Sequence, residues 1–106
     1  MTYIAFDGGY FPNHKSGVFA VVKVDGHEEE LITYGIEKNT NSSDIEWIAA
    51  RWAQIYAERL GIQTIRGDFV QCIDGMEKEY PEYNWEWVPS KSNPADKFAK
   101  YLPELL

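Results

Sequence analysis

Four acidic residues of this chain of 106 residues stand where the local sequence predicts the end of a strand or the start of a helix. Asp7 and Asp68 each close an apolar run beside glycine, while Glu46 and Asp96 fall in the first turns of two predicted helices. Crowded carboxylates raise one another's pKa unless a cation bridges them. If the fold brings these acids together, they predict a divalent metal site, and all-oxygen ligands favour Mg²⁺ or Mn²⁺ over zinc.

The elements that must position these acids begin with three antiparallel strands, predicted at Tyr3 to Tyr10, Val18 to Val24 and Glu30 to Ile36. The Asp25-Gly26 pair between the second and third strands is a strong hairpin signal. Alternation along the first strand places Asp7 on the face opposite to Phe6. An acid therefore ends the first strand.

The rest of the sequence predicts a helix, strand, helix, strand and helix, at Asp44–Leu60, Ile62–Gly67, Phe69–Met76, Asn84–Val88 and Ala95–Leu102. Gly61 ends the long helix, the Asn93-Pro94 pair begins the last helix, and Pro103 ends it. This order predicts one α/β domain over residues 1–106, with a mixed sheet and helices on both faces. A right-handed crossover would bring Asp7 and Asp68 to the same end of that sheet.

Composition narrows the possible functions. A hydrophobic fraction of 44% with 15% aromatic residues is what a packed globular domain needs. Cys72 is the only cysteine, which excludes an internal disulfide and a zinc site built from thiolates. The longest apolar runs, such as Val18 to Val22, are too short to span a membrane, and the start lacks a signal sequence, so we expect a cytoplasmic protein. The net charge of −7 argues against a wide basic surface for nucleic acid.

Each candidate residue also has a purely structural interpretation. Glu46 could form a capping box with Ser43, Asp68 could be a turn residue, and Asp96 could be an acid favoured by the helix dipole. Trp85 and Trp87 lie on one face of a strand and are expected in the core rather than on a base-stacking platform.

The ordered motifs resemble those of the ribonuclease H family over nearly the whole chain. They are Ile4-Ala5-Phe6-Asp7-Gly8-Gly9, Thr40-Asn41-Ser42-Ser43-Asp44-Ile45-Glu46, Gly67-Asp68, and Trp85-Glu86-Trp87-Val88 followed by Asn93-Pro94-Ala95-Asp96. The spacing of the first three acids is similar to the family's spacing. The Val-Pro-x-x-x-Asn-Pro-Ala-Asp ending resembles the archaeal and retroelement branches. No single motif is specific, and the resemblance depends on the ordered set.

The resemblance implies a ribonuclease H-like fold with a five-stranded mixed sheet, three strands antiparallel and then two parallel. It implies hydrolysis of the RNA strand of RNA–DNA hybrids with two Mg²⁺ or Mn²⁺ ions per site, leaving 5′-phosphate and 3′-hydroxyl ends. By position, Asp7 would bridge the two ions, Glu46 and Asp68 would hold the first, and Asp96 the second. Glu46 and the backbone of Gly8 would contact the 2′-hydroxyl that distinguishes RNA from DNA.

The sequence departs from the family's pattern around the substrate. The short separation between Asp68 and Asp96 leaves no space for the extra helices and basic protrusion that many members use to hold hybrid. Lys91 stands roughly where the bacterial branch has a loop histidine. Ser42-Ser43 replaces the usual asparagine pair, so Asn41 and Ser42 are the candidate substrate-binding residues there. We therefore expect weak, salt-sensitive binding.

Three hypotheses follow. The first is a metal-dependent endonuclease on RNA–DNA hybrids. The second is a nuclease of the same fold that acts on DNA or branched nucleic acid, as the missing helices suggest. The third is a catalytically weak binding module that works through a protein partner or as a homodimer. Cleavage of a substrate panel distinguishes the first two, and retention of all four acids argues against the third.

Overall fold

The computed structural model describes residues 1–101, the last of these by its backbone alone. Three long strands come first, β1 (Thr2–Phe11), β2 (Ser16–Asp25) and β3 (Glu28–Lys38). They are followed by α1 (Ser42–Leu60), β4 (Thr64–Gly67), α2 (Val70–Glu79), β5 (Asn84–Trp87) and α3 (Asp96–Tyr101). Every predicted strand and helix is present in the predicted order, with bounds shifted by a few residues. The predicted end of the last helix, at Leu102 and Pro103, lies outside the described residues.

The five strands form one mixed sheet in the order β3-β2-β1-β4-β5. β1 pairs antiparallel with β2, and β2 with β3, while β4 runs parallel to both β1 and β5. Ile4 is opposite Ile65 and Ala5 is opposite Arg66. Because this register continues towards the carboxyl ends of both strands, Asp7 and Asp68 come to the same end of the sheet. The predicted five-stranded mixed sheet is confirmed.

Helices cover both faces of the sheet. On one face, Ile4 and Phe6 of β1 pack with Ile45 of α1 in the larger core, which also includes buried residues of α2. On the other face, Ala5 of β1 packs with Ala95, which immediately precedes α3, in a smaller core. The alternation of side chains along a strand separates the two cores, as the sequence predicts.

Trp85 and Trp87 differ in burial although they lie on the same face of β5. Trp85 is buried in the larger core, whereas 53% of Trp87 is exposed. The prediction that both tryptophans are core residues was therefore wrong for Trp87, because Trp87 is the last residue of a strand at the edge of the sheet.

The start of α1 determines where Glu46 points. Asn41 is the N-cap residue: its Oδ1 accepts the Asp44 N–H at 2.8 Å, and its Nδ2 donates to Asp44 Oδ2 at 3.0 Å. The alternative interpretation of Glu46, as part of a capping box with Ser43, does not hold, since the helix begins earlier and Asp44 bonds the N-cap residue. The Glu46 carboxylate is therefore not used in the cap.

The far end of α1 agrees with the sequence. Gly61 adopts a left-handed conformation with φ 67° and donates its N–H to Ala57 and Glu58, so the predicted glycine cap is confirmed. Within residues 1–101, no helix is both long and apolar enough to cross a membrane.

Candidate metal centre

Three of the four predicted acids meet at the edge of the sheet. One carboxylate oxygen each from Asp7, Glu46 and Asp68 lies within 4.8 Å of the other two. Asp7 is on β1, Asp68 directly follows β4, and Glu46 is in the second turn of α1. Elements that are distant in the sequence thus bring three carboxylate oxygens close together. The meeting of Asp7 and Asp68 was predicted from their positions at the ends of two predicted strands.

Glu46 reaches this point because α1 lies directly against β1 at Gly8. A Cβ atom at Gly8 would come within 2.8 Å of the Ile45 carbonyl oxygen and 3.0 Å of the Glu46 nitrogen. Only a residue without a side chain allows this approach. The Gly8 N–H donates to Glu46 Oε1 at 3.3 Å, which directs the carboxylate towards Asp7.

Asp96 lines the same cavity from α3. The cavity has a volume of about 290 Å³ and is lined by all four acids together with Gly8, Ser90 and Lys100. Asp96 is not within the close group of three, and its Oδ2 lies 2.7 Å from the Lys100 ammonium one turn later in α3. The four predicted acids therefore share one cavity, with Asp96 at its cationic side.

Burial and mutual repulsion strongly raise the pKa values of the acids. Only 5% of Asp7 and 9% of Glu46 are exposed. Burial, followed by repulsion from Glu46 and Asp68, raises the pKa of Asp7 to about 10. Burial and the charge of Asp68 raise the pKa of Glu46 to about 7, and burial also raises the pKa of Asp68. Without a cation, the fold favours protonated carboxyl groups here.

The chemistry of the donors fits a divalent cation. Glu46 Oε2 is buried and has no hydrogen-bond partner in the described part of the chain, which is costly unless another ligand satisfies it. Among residues 1–101, Asp7, Glu46 and Asp68 form no ion pair with a basic side chain. A group of buried carboxylate oxygens without a cationic partner suits Mg²⁺ or Mn²⁺.

The predicted substrate-binding residues surround the acids without joining them. Asn41 and Ser42 are exposed at the start of α1, where the Asn41 side chain is engaged in the cap. Lys91 is exposed on the short turn Ser90–Ser92 and lines a neighbouring cavity that it shares with Asp96. The Gly8 N–H is directed at Glu46. Substrate contacts at these positions remain predictions.

The sequence interpretation missed the second contribution of Asn93. This residue was predicted to begin the last helix, and its Oδ1 does accept the Ala95 N–H at 3.0 Å. Its Nδ2 also donates to Asp68 Oδ2 at 3.0 Å. No sequence signal separates these two uses, because the pairing with Asp68 depends on the placement of β4 beside the loop before α3.

Comparisons with solved structures identify the fold. The N-terminal RNase H domain of a Mycobacterium tuberculosis protein, solved as a fusion with maltose-binding protein, matches with a TM-score of 0.76 at 17% identity, covering 98% of this chain and 94% of that one. RNase H1 from the halophilic archaeon Halobacterium salinarum matches at 0.72 with 19% identity, covering 99% and 98%. LC11-RNase H1, solved in complex with an RNA/DNA hybrid, matches at 0.70 with 16% identity, covering 94% of each chain.

Sequence comparisons add nothing to this likeness: no family model and no curated protein matches the sequence. At identities of this size, the structural matches show the fold. The fold class predicted from the motifs is confirmed.

Proposed function

Because the chain has the ribonuclease H fold, we propose that it is a metal-dependent endoribonuclease that hydrolyses the RNA strand of RNA–DNA hybrids. In this proposal residues 1–106 act as a single domain, and the products carry 5′-phosphate and 3′-hydroxyl ends. The observation that carries it is the close group of the carboxylates of Asp7, Glu46 and Asp68 where β4 ends beside β1, with Asp7 and Glu46 buried.

The fold alone does not explain this group of acids. Asp7 is buried next to Glu46 and Asp68, and each of these neighbours raises its pKa. A buried carboxylate without a cationic partner is costly to a folded protein. This cost has a function if the acids serve to hold cations. The substrate is suggested separately: an RNase H1 with the same fold was solved in complex with an RNA/DNA hybrid, which favours hybrid.

The four acids would divide the work of holding two cations. As the resemblance to the family implies, Asp7 would contact both ions, Glu46 and Asp68 would complete the first site, and Asp96 the second. Two ions bound at these positions would lower the pKa of the attacking water and stabilise the leaving 3′-oxygen. The chain supplies the rigid frame: the Gly8 N–H holds Glu46, and the Asn93 amide holds Asp68.

Recognition of hybrid would depend on few charges. The chain has a net charge of −7. Two exposed lysines, Lys91 and Lys100, line the site's cavity or the neighbouring one, and within residues 1–101 their only ion pair is that of Lys100 with Asp96. Because affinity for nucleic acid comes mainly from phosphate contacts, we propose weak binding. Binding should therefore weaken steeply with salt, and cleavage should be sought at low ionic strength.

A substrate panel tests the proposal. Labelled RNA–DNA hybrid, RNA duplex, DNA duplex, a branched DNA and single strands are incubated at low salt with Mg²⁺ or Mn²⁺, with wild type and with Asp7→Asn purified identically. We expect hybrid-selective cleavage with 5′-phosphate ends in the wild type alone. Cleavage of DNA or branched substrate alone would favour another nuclease of this fold. Folded protein that cuts nothing would favour a binding module, and equal cleavage by both proteins would contradict a site that depends on Asp7.

A further inference from the structure

The side-chain amide of Asn93 joins three elements that carry the acids. It is 5% exposed, and all its hydrogen bonds are internal. Its Nδ2 donates to the Phe6 carbonyl of β1 at 2.9 Å and to Asp68 Oδ2 at 3.0 Å, while its Oδ1 accepts the N–H of Ala95 at 3.0 Å. Phe6 immediately precedes Asp7, and Ala95 immediately precedes Asp96. One amide therefore contacts Asp68 itself and the chain neighbours of two other acids.

The hydrogen-bonding capacity of the amide leaves it one orientation. A primary amide has two N–H donors, and here both are used on acceptors. The reverse orientation would turn the amide oxygen towards the Phe6 carbonyl, which cannot donate to it, and the amide N–H groups towards the Ala95 N–H, which cannot accept. The direction of the Asp68 carboxylate is thus fixed by a buried neighbour.

Asp68 is held at a second point by Trp87. The Trp87 indole Nε1 donates to the Asp68 carbonyl oxygen at 3.0 Å. Trp87 is 53% exposed, so burial of the ring alone does not explain its position. The end of β5 and the loop that follows it therefore restrain both the backbone and the side chain of Asp68.

We infer that Asn93 is a positioning residue, which presets the Asp68 carboxylate relative to Asp7 and Asp96 before a cation binds, with Trp87 as a weaker second restraint. This inference rests on the proposed function, because it assumes that the acids bind metal. Partners of metal-binding groups typically change affinity or activity by about 10–100-fold when they are removed. A residue that only caps α3 would affect stability instead.

Two substitutions separate positioning from capping. Asn93→Ser keeps an oxygen that can accept the Ala95 N–H, but a serine is too short to reach Asp68 or Phe6. Asn93→Asp keeps the length and the cap acceptor and replaces the donor to Asp68 by a second acidic oxygen. The matched control is Asn84→Ser, which removes an exposed asparagine at the start of β5. Trp87→Phe keeps an aromatic side chain but replaces the indole, with its N–H donor, by a smaller benzene ring.

The measurement is Mn²⁺ binding by each full-length protein without nucleic acid, followed by kcat and KM on the cleaved substrate. We expect folded Asn93→Ser to bind Mn²⁺ about 10–100-fold more weakly, and kcat to fall more than KM rises. Its Tm should also fall, because the buried Phe6 carbonyl loses a hydrogen-bond donor. Trp87→Phe should weaken binding less, and Asn84→Ser should match wild type.

Wild-type Mn²⁺ affinity in folded Asn93→Ser and Asn93→Asp would overturn the positioning role while leaving the proposed function intact. If neither variant folds, Asn93 is a residue of the fold itself and the inference fails. Lack of Mn²⁺ binding by the wild type would contradict the proposed function, and the inference would fail with it.

Discussion

Two groups of carboxylates in this molecule have opposite surroundings. Glu28, Glu29 and Glu30 begin the edge strand β3, where all three are exposed and Glu29 pairs with Lys97 of α3. Asp7 on β1 and Glu46 on α1 are instead buried. The first group is exposed to solvent and has a lysine as a neighbour, whereas the neighbours of the second group are other acids.

The difference shows which acids the fold explains. Charges on an edge strand discourage pairing with another chain and cost little in water. Buried acids lose their hydration and repel one another, which raises the pKa of Asp7 and Glu46. The number of acids in a chain therefore says less about function than where the fold buries them. The following predictions test this contrast, from the largest expected effect to the smallest.

Asp7→Asn should have the largest effect, because it removes the acid between the other ligands. We expect the rate of hybrid cleavage to fall by more than about 100-fold. That value is the upper end of what is typical when a residue that supports a metal-binding group is removed. The metal-free variant should nevertheless unfold at a higher denaturant concentration than metal-free wild type at pH 7, since Asn is neutral without taking up a proton on folding. Cleavage assays and urea denaturation in EDTA measure the two effects. Unchanged activity would contradict the assignment of Asp7.

Gly8→Ala should damage the buried group through geometry alone. The new Cβ would meet the Ile45 carbonyl and the Glu46 nitrogen at 2.8 and 3.0 Å, so β1 and the start of α1 must separate. Overpacking of this kind costs about 1–3 kcal/mol. We also expect weaker Mn²⁺ binding, because Glu46 moves.

The matched control for this substitution is Gly9→Ala, whose Cβ would lie at an ordinary 3.5 Å from the Phe11 ring. Equal effects of the two substitutions on denaturation and Mn²⁺ titration would contradict the close approach at Gly8.

The metal-free stability should depend on pH in a direction set by the buried acids. The folded pKa of Glu46, about 7, and that of Asp7, about 10, are above the ordinary carboxyl values near 4, so the folded state keeps protons that the unfolded chain releases. This contribution to the free energy of unfolding is complete below about pH 4 and falls as the pH rises through the folded pKa values.

Denaturation in EDTA across this pH range, compared between wild type and Asp7→Asn, isolates the effect from that of the other carboxylates. The difference in stability between the variant and the wild type should grow with pH. A constant difference would contradict the raised pKa of Asp7.

Glu29→Gln should have the smallest effect. It removes one member of an exposed ion pair with Lys97, and such pairs contribute between 0 and about 1 kcal/mol. We expect a small change in the free energy of unfolding and the same Mn²⁺ affinity as wild type. A loss of Mn²⁺ binding comparable to that of Asp7→Asn would end the distinction between the two groups.

The sequence predicted the fold well because its signals are local. The Asp25-Gly26 turn, the helical spacing behind Asp44 and the Gly61 cap depend on neighbouring residues, and each is confirmed. The approach of Asp7 to Asp68 followed from a general rule on strand ends. The four acids of the site were therefore available from the pattern, although their roles stay predictions.

The sequence was less informative where two local choices are equivalent or where a partner comes from a distant segment. Asn41 and Ser43 both have a capping side chain, and only the observed start of α1 decides between them. The burial of Trp87 was overestimated because alternation does not show where a strand meets the edge of the sheet. The bond from Asn93 to Asp68 depends on the packing of β4 against the loop before α3.

Direct titration of metal-free protein with Mn²⁺ at pH 7, in buffers of different ionisation enthalpy, tests the metal centre most directly. The pKa of Asp7, about 10, keeps it protonated at pH 7 in the metal-free fold, and the pKa of Glu46, about 7, leaves it partly protonated, so cation binding should release protons. We expect Mn²⁺ binding with proton release in wild type and in Glu29→Gln, and a large loss of affinity in Asp7→Asn. Absence of binding by folded wild type, or equal affinity in Asp7→Asn, would contradict the assignment of these acids as a metal centre.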